Sequence, residues 1–551
     1  MAYLLCLPLL FAFTQIGAAG YDDAHITFWQ AWTLNHHSAL LNYNGERIEQ
    51  GSSLLHTLCT ALLARLTGLD EPTAGHLLAL GAGFATVLSL WRIATRLALS
   101  PAWLAPLLTS GSIVFSYWAC SGMESSLAAL CSLLWVDQCQ RGASGGSRWP
   151  VAASTAALVL VRPEMAIVTP LWLSLLCLQN TAYRPLWLLG CTAVVATLLM
   201  RYGLFHQWLP NPVYAKTHIT GMGPALEQLH SGIRYLLRLS RDTPLLLLSM
   251  LFGSSLAAST LRWLRPTTND NKKPHLAPWL LWVWVYTAFI ITSGGDWMKE
   301  GRFWVPLIPA ACLVIASTVS TLVPMARHIT ISLLLLLQVW HGYLFLDRYN
   351  NGMRWSQQER WVTVFPYASF FERSNREHLR DLPAVAELER WVPRLHHHTQ
   401  QPVRIMSKQM GFVNYSLGTQ YFGQFHVMDM AGLTENSLRQ CAVLAQDGFE
   451  RQGMRLNYRK FFERLPQATL QCGLHAPDII YDIYGWGETA TLPEYLVDRG
   501  YRIVFHQTGR VNMKPGLDVT ANEIIAIRQD LLPAHYHRPP VTLNFNTLLP
   551  D

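Results

Sequence analysis

Five short motifs hold most of the residues able to do chemistry. They are Tyr21-Asp22-Asp23-Ala24-His25, Gly122-Met123-Glu124, Arg162-Pro163-Glu164, Asn211-Pro212-Val213-Tyr214-Ala215-Lys216, and Gly294-Gly295-Asp296-Trp297-Met298-Lys299-Glu300-Gly301-Arg302. A carboxylate from Asp22 or Asp23 can take a proton from an attacking hydroxyl. Either can equally cap a helix that begins near His25. Arg162 and Glu164, two residues apart, read as an ion pair. Lys216 is a compact cation suited to a phosphate, and a solvated loop lysine is the plain alternative. Paired glycines at 294 and 295 let backbone approach a ligand closely.

The elements that must position these motifs are apolar. Hydrophobic residues make up 51% of the 551 and charged residues only 14%, against about 25% in an average soluble protein. A spanning helix needs about 20 mostly apolar residues. Runs of that kind fall at roughly 1–19, 75–98, 101–118, 123–139, 149–162, 164–180, 185–205, 243–261, 277–293, 303–323 and 328–346, about eleven in all. The two runs around Arg162-Pro163-Glu164 are short enough for a bent, partly inserted hairpin. Each polar motif abuts such a run or fills the loop beside it. An ionisable group at that depth costs about 2.5 kcal/mol or more on insertion scales, so several gathered on one face mark a site.

Alternate loops differ in charge. One set carries Arg92, Arg96, Arg141, Arg148, Arg184, Arg262, Arg265, Lys272, Lys273 and Arg327; the other begins with residues 20–74, which carry Asp22, Asp23, Glu46, Glu49, Asp70 and Glu71. Basic loops stay in the cytoplasm. The acidic loop and the chain after the last span then face outward, into the periplasm of a bacterium. The alternation works with residues 1–19 as an uncleaved first span. The net charge of +7 comes from such loops, and no dense basic tract or nucleic-acid motif accompanies it.

The chain divides into a membrane region, 1–347, with a first outward loop at 20–74, and a C-terminal region, 348–551. The second opens with an aromatic and arginine-rich linker from Trp355 to Phe371, suited to a membrane surface. A helical stretch at about 380–398 follows, then short apolar runs at Val403–Met406, Phe425–Met428, Asp478–Ile483 and Tyr501–Phe505. Strands alternating with helices indicate a small soluble α/β domain. It carries no GxSxG nucleophile motif. His396-His397-His398 reads as a solvated helix end and not a metal site. Of ten cysteines, those in apolar runs, such as Cys131, Cys177, Cys191 and Cys312, read as small buried hydrophobes. Cys441 and Cys472 can pair outside the cytoplasm, although spacing alone does not fix a disulfide. The 21 tryptophans suit sugar faces and, more generally, membrane interfaces.

Taken in order, the motifs resemble the GT-C glycosyltransferases. The match begins with Asp22-Asp23-Ala24-His25-Ile26-Thr27-Phe28 through Asn42-Tyr43-Asn44-Gly45-Glu46-Arg47-Ile48-Glu49. It continues through Gly122-Met123-Glu124-Ser125-Ser126, Arg162-Pro163-Glu164, Asn211 to Lys216 and Gly294 to Phe303, and reaches Met428-Asp429-Met430-Ala431-Gly432-Leu433-Thr434. It is most similar to the branch of the terminal β-arabinofuranosyltransferases (AftB) and the LphB-like proteins. The loop departs from that branch at Gln50-Gly51-Ser52-Ser53 and at His25. The resemblance implies a polytopic α-helical membrane protein that moves a sugar, arabinofuranose or another pentose or hexose, from a polyprenyl-phosphate donor. The acceptor would be an envelope glycan, lipopolysaccharide or protein outside the cytoplasm.

The resemblance carries the first-loop aspartate, the general base, over to Asp23 or Asp22; one base and an anionic leaving group imply inversion, by analogy with carboxylate-based glycosyl chemistry. Lys216 with Arg162 or Arg302 would meet the phosphate. Glu124, Glu164, Asn211, Tyr214, Asp296, Trp297 and His25 would complete substrate binding. A phosphate leaving group dispenses with a strong acid. No cofactor is implied, and a divalent cation beside the phosphate stays open. The alternative is a transporter or flippase of lipid-linked sugars, which would share the spans and ionisable groups but should show internal repeats.

Overall fold

The computed structural model describes residues 5–10, 22–216, 222–242, 248, 276–296, 301–352, 367–408, 410–444, 449–450, 453–454, 458–484, 492–514, 517–533, 536 and 539–544. The expected spans at 1–19 and 243–261, most of the linker, Trp297 and the Lys216 side chain lie largely or wholly outside these residues.

Apolar runs become helices, and the polar motifs become their corners. Helices Glu71–Arg96, Arg184–Phe205 and the segment Arg302–Ser320 are long and apolar enough to cross a membrane. Ile113–Cys120 and Ser125–Ala143 form a fourth such segment bent by 116°. Leu54–Thr67, Trp149–Val161, Met165–Gln179 and Ala277–Thr292 are apolar but shorter. At 1.5 Å per residue, the 13-residue Trp149–Val161 is about 20 Å long, less than the roughly 30 Å hydrocarbon core. The expected run at 101–118 is two short helices, Leu104–Ser110 and Ile113–Cys120. Helix Pro324–Gly352 closes the bundle.

Each corner has a local cause. A residue before proline is disfavoured in the α region. Arg162 is accordingly extended, with φ −143° and ψ 113°, and ends its helix. The 116° bend falls where Gly122 holds φ +72°. Only glycine has room there, because a Cβ would stand 2.9 Å from the His76 ring.

The body buries its bulk as aromatic packing. Trp135, Trp172 and Trp282 lie 4.7 to 6.2 Å apart between ring centroids. Their neighbour Trp279 is also buried, with its indole N–H donated to Gln140. These four tryptophans are core residues, whereas Trp149, Trp208, Trp284 and Trp340 are exposed. Cys312 is buried as expected, whereas Cys131, Cys177 and Cys191 are half-buried. At one end of the bundle Asp137, buried, pairs with both Arg96 and Arg141.

The C-terminal domain is a mixed six-stranded sheet in the order β2-β1-β5-β7-β6-β8. The strands are β1 Val403–Ser407, β2 Phe425–Asp429, β5 Ile479–Tyr484, β6 Tyr501–Lys514, β7 Leu517–Arg528 and β8 Val541–Asn544. A separate hairpin joins β3 Phe449–Glu450 to β4 Gly453–Met454. β2, β1 and β5 are parallel, and β7 runs antiparallel to β5 and β6. Side chains alternate between faces. Val403, Ile405, Val427 and Ile525 pack against helices Tyr367–Thr399 and Phe412–Tyr421. Met406, Met428, Ile480 and Ile524 pack against Tyr458–Cys472 and Leu492–Asp498. Cys441 and Cys472 form a disulfide. His397 and His398 are exposed at the end of their helix.

The segment expected as the first outward loop, 20–74, holds helices Ala24–His37 and Leu54–Thr67. Ile26, Trp29 and Tyr43 join one face of the sheet domain's own core. The soluble domain is thus packed on the first loop of the membrane region.

Candidate active site

A chain of buried ion pairs runs through three of the five motifs. Arg162 donates from Nη1 to Glu124 Oε1 at 2.6 Å and from Nε to Glu164 Oε1 at 2.7 Å. Glu164 Oε1 also accepts from the Tyr286 hydroxyl at 3.1 Å. Arg302 donates from Nε to Asp296 Oδ2 at 2.8 Å. Both guanidinium groups lie over the Phe303 ring, at 4.6 and 5.5 Å. Arg302 stands in electrostatic range of Glu124, Arg162 and Asp23 as well as Asp296. Three carboxylates and two guanidiniums therefore meet where apolar helices end, with Asp23 in the field of Arg302. The acids Glu124, Glu164 and Asp296 fix the orientation of the two arginines. Such pairs survive burial only when well bonded.

Gly295 makes a close approach, but to protein. A Cβ there would stand 2.5 Å from Tyr235 of helix Met222–Asp242, and its φ is +76°.

The two adjacent aspartates have different surroundings. Asp22 Oδ2 accepts from the Gly411 amide at 3.1 Å, and Oδ1 from the Phe412 amide at 2.7 Å. Those amides open helix Phe412–Tyr421, so Asp22 caps a helix of the other domain. Asp23 instead shares the field of Arg302.

His25 is buried among Phe28, Phe412 and Tyr415, with ring centroids 5.3 to 5.5 Å away. Asn211 is also a domain contact. Its amide nitrogen donates to the Gly432 and Leu433 carbonyls at 3.0 and 2.9 Å, while its oxygen accepts from Arg439 at 2.8 Å. Tyr214 lies under that arginine, 5.6 Å from ring centre to guanidinium carbon.

The partner loop is built by Asp429. Its carboxylate accepts from the amides of Ala431, Gly432, Leu433 and Thr434 and from the Thr434 hydroxyl. Asn42 reaches the Thr434 carbonyl at 3.0 Å. Asn44 pairs with both backbone groups of Val427, as an added strand would. Behind the junction, Glu49 meets Arg201 at 3.2 Å, both buried. Burial pushes the Glu49 carboxyl up to about 7, against the pull of Arg201.

Sequence reasoning missed Tyr286, Tyr235, Asn44, Glu435 and Arg439 as individual residues. Asn42-Tyr43-Asn44 and Asp429 lay inside the quoted motifs, and that was the available signal. Among the described residues, no three His, Cys, Asp or Glu side chains are grouped to hold a metal ion.

No family profile and no curated protein matches the sequence. Solved structures do match. ArnT from Cupriavidus metallidurans in the apo state aligns at TM-score 0.51 and 12% identity, over 97% of this chain and 98% of that one. ArnT bound to undecaprenyl phosphate gives TM-score 0.51 at 12% identity, over 98% of both. The chain shares the fold of ArnT. That fold, a body of apolar helices with a C-terminal sheet domain, is the class of architecture expected from the sequence. The arabinosyltransferase EmbB from Mycobacterium smegmatis aligns at TM-score 0.38 and 14% identity, over 68% of this chain and 36% of that chain, a score too low to bear on the fold.

Proposed function

We propose that the protein is a membrane glycosyltransferase that moves a sugar from a polyprenyl-phosphate carrier to an extracytoplasmic acceptor hydroxyl. The observation that carries this reading is the pair of buried guanidiniums over one ring, Arg162 and Arg302, held by acids at the ends of apolar helices, with Asp23 in electrostatic range of Arg302. The ArnT fold, solved with undecaprenyl phosphate, supports a lipid-phosphate donor. The Cys441–Cys472 disulfide supports an oxidising, periplasmic side for the sheet domain.

In this reading Asp22 is engaged in capping, and Asp23 is the general base. It takes the acceptor O–H proton as that oxygen bonds to the anomeric carbon. The carbon–oxygen bond to phosphate breaks, and its electron pair leaves on the phosphate. Arg162 and Arg302 offset the developing charge, with Lys216, the last residue of helix Asn211–Lys216, as a third cation. A single displacement inverts the anomeric centre, by analogy with carboxylate glycosidases. Arabinofuranose is one candidate sugar among pentoses and hexoses.

The test is envelope glycan analysis of a deletion strain, complemented by wild type or Asp23→Asn. Loss of one terminal sugar in the deletion, restored by wild type alone, is expected. Full restoration by Asp23→Asn removes the proposed base. An unchanged glycan profile in the deletion removes the transferase reading.

A further inference from the structure

Helix Leu54–Thr67 is built inside out. Leu58, Leu62 and Leu66 on one side are 36%, 58% and 74% exposed, while Ser53, His56, Thr57 and Thr60 are at most 1% exposed. Polar residues at spacings of three and four share one helix face, and here that face points inward. The outward leucines suit lipid.

The inward stripe carries unsatisfied groups. Among the described residues, Ser53 Oγ, both ring nitrogens of His56 and Thr60 Oγ1 have no hydrogen-bond partner, although all are buried. His76 adds one more. Its Nδ1 lies 2.7 Å from the Pro72 carbonyl. That nitrogen must carry the proton, which leaves Nε2 as an acceptor, buried and unpartnered. The hydroxyl of Ser125, the residue after Glu124, is in the same condition. His56 is in electrostatic range of both Glu124 and His76, so the stripe adjoins the ion-pair chain. Leaving buried donors and acceptors unmet is costly.

These atoms are neutral donors and acceptors, on hydroxyls and imidazoles. A phosphate calls for cations; a neutral ring bearing several hydroxyls calls for groups of this kind. We propose that Ser53, His56, Thr60, His76 and Ser125 form a hydroxyl-binding subsite for the sugar carried by the lipid donor. The subsite rests on the transferase reading above and deepens it. It sets which sugar is accepted, while the arginines hold the phosphate common to all donors.

The test uses the full chain in lipid nanodiscs and native mass spectrometry. The probes are bare undecaprenyl phosphate and the same lipid carrying arabinose, galactose or glucose in turn. Wild type should hold one glycosylated lipid more tightly than the bare lipid. His56→Phe and the nearly isosteric Thr60→Val should each cut that preference by roughly two- to tenfold, with bare-lipid affinity unchanged. That unchanged affinity also reports a folded protein. His56→Asn should restore part of the preference, and Asp23→Asn should keep all of it. A preference left intact in both His56→Phe and Thr60→Val overturns the subsite alone. A changed acceptor KM with an unchanged donor preference also overturns it, placing the acceptor there instead. Equal binding of all four lipids by wild type overturns both the subsite and the donor reading.

Discussion

Asp22 accepts the backbone N–H of Phe412 at 2.7 Å across 390 residues of sequence. This bond ties the turn before helix Ala24–His37 to a helix of the sheet domain. It also separates Asp22 in role from the neighbour it most resembles.

Asp22→Ala and Asp23→Asn should therefore fail in opposite ways. Removing a helix cap costs about 0.5–2 kcal/mol. Asp22→Ala should lower the melting temperature and speed proteolysis between the domains while retaining part of the activity. Asp23→Asn should melt like wild type and transfer no sugar. Identical loss of transfer with unchanged melting in both variants would contradict this division.

Trp29 fills the space beside Gly418, where a Cβ would come within 2.4 Å of the indole ring. Trp29 is fully buried and cannot retreat without opening the junction. Gly418→Ala should destabilise by about 1–3 kcal/mol through overpacking. A thermal melt of the detergent-solubilised protein checks it, and Trp29→Phe in the same chain should recover part of the loss.

The Arg162 pairs are buried, so removing one partner strands a charge. Glu124→Gln and Arg162→Gln should each cost about 3–5 kcal/mol. The double variant should cost less than the sum, because the second change removes the charge stranded by the first. Additive losses in denaturant melts would place the two side chains in independent roles.

Glu435 gives the domain junction a pH dependence. Its carboxyl accepts from the Asp429 and Ser437 amides. Burial, with the Asp429 charge adding to it, pushes the carboxyl from 4.5 up to about 7. The folded protein then holds a proton that the unfolded chain releases above about pH 4.5. Between those values the folded state binds more protons, so stability falls as pH rises. Melting temperature should decline from pH 5 to pH 7, and Glu435→Gln should flatten that slope. An unchanged slope in the variant assigns the effect elsewhere.

The Cys441–Cys472 disulfide closes a sequence separation of 31 residues. Its loss should cost about 3–4 kcal/mol. Reducing agent should lower the melting point of wild type and leave Cys441→Ser/Cys472→Ser unaffected.

The sequence by itself determined the membrane body, the corners and the α/β class of the tail. Those follow from local causes: apolar run length, the proline after Arg162, the glycine before Met123, and alternation in short strands. It also marked the acids and cations of the five motifs, because ionisable residues beside apolar runs are conspicuous. Only the tertiary structure decided what each one touches. Spacing allowed Asp22 to be a base, and Phe412 made it a cap. Spacing allowed Asn211 to hold substrate, and its bonds go to Gly432 and Leu433. The physical reason is that a hydrogen bond is fixed by angles and a few ångströms, between groups that the chain separates by hundreds of residues. The inward polar stripe of Ser53, His56 and Thr60 was hidden for a related reason. Its pattern is that of any amphipathic helix, and only burial shows which side faces in.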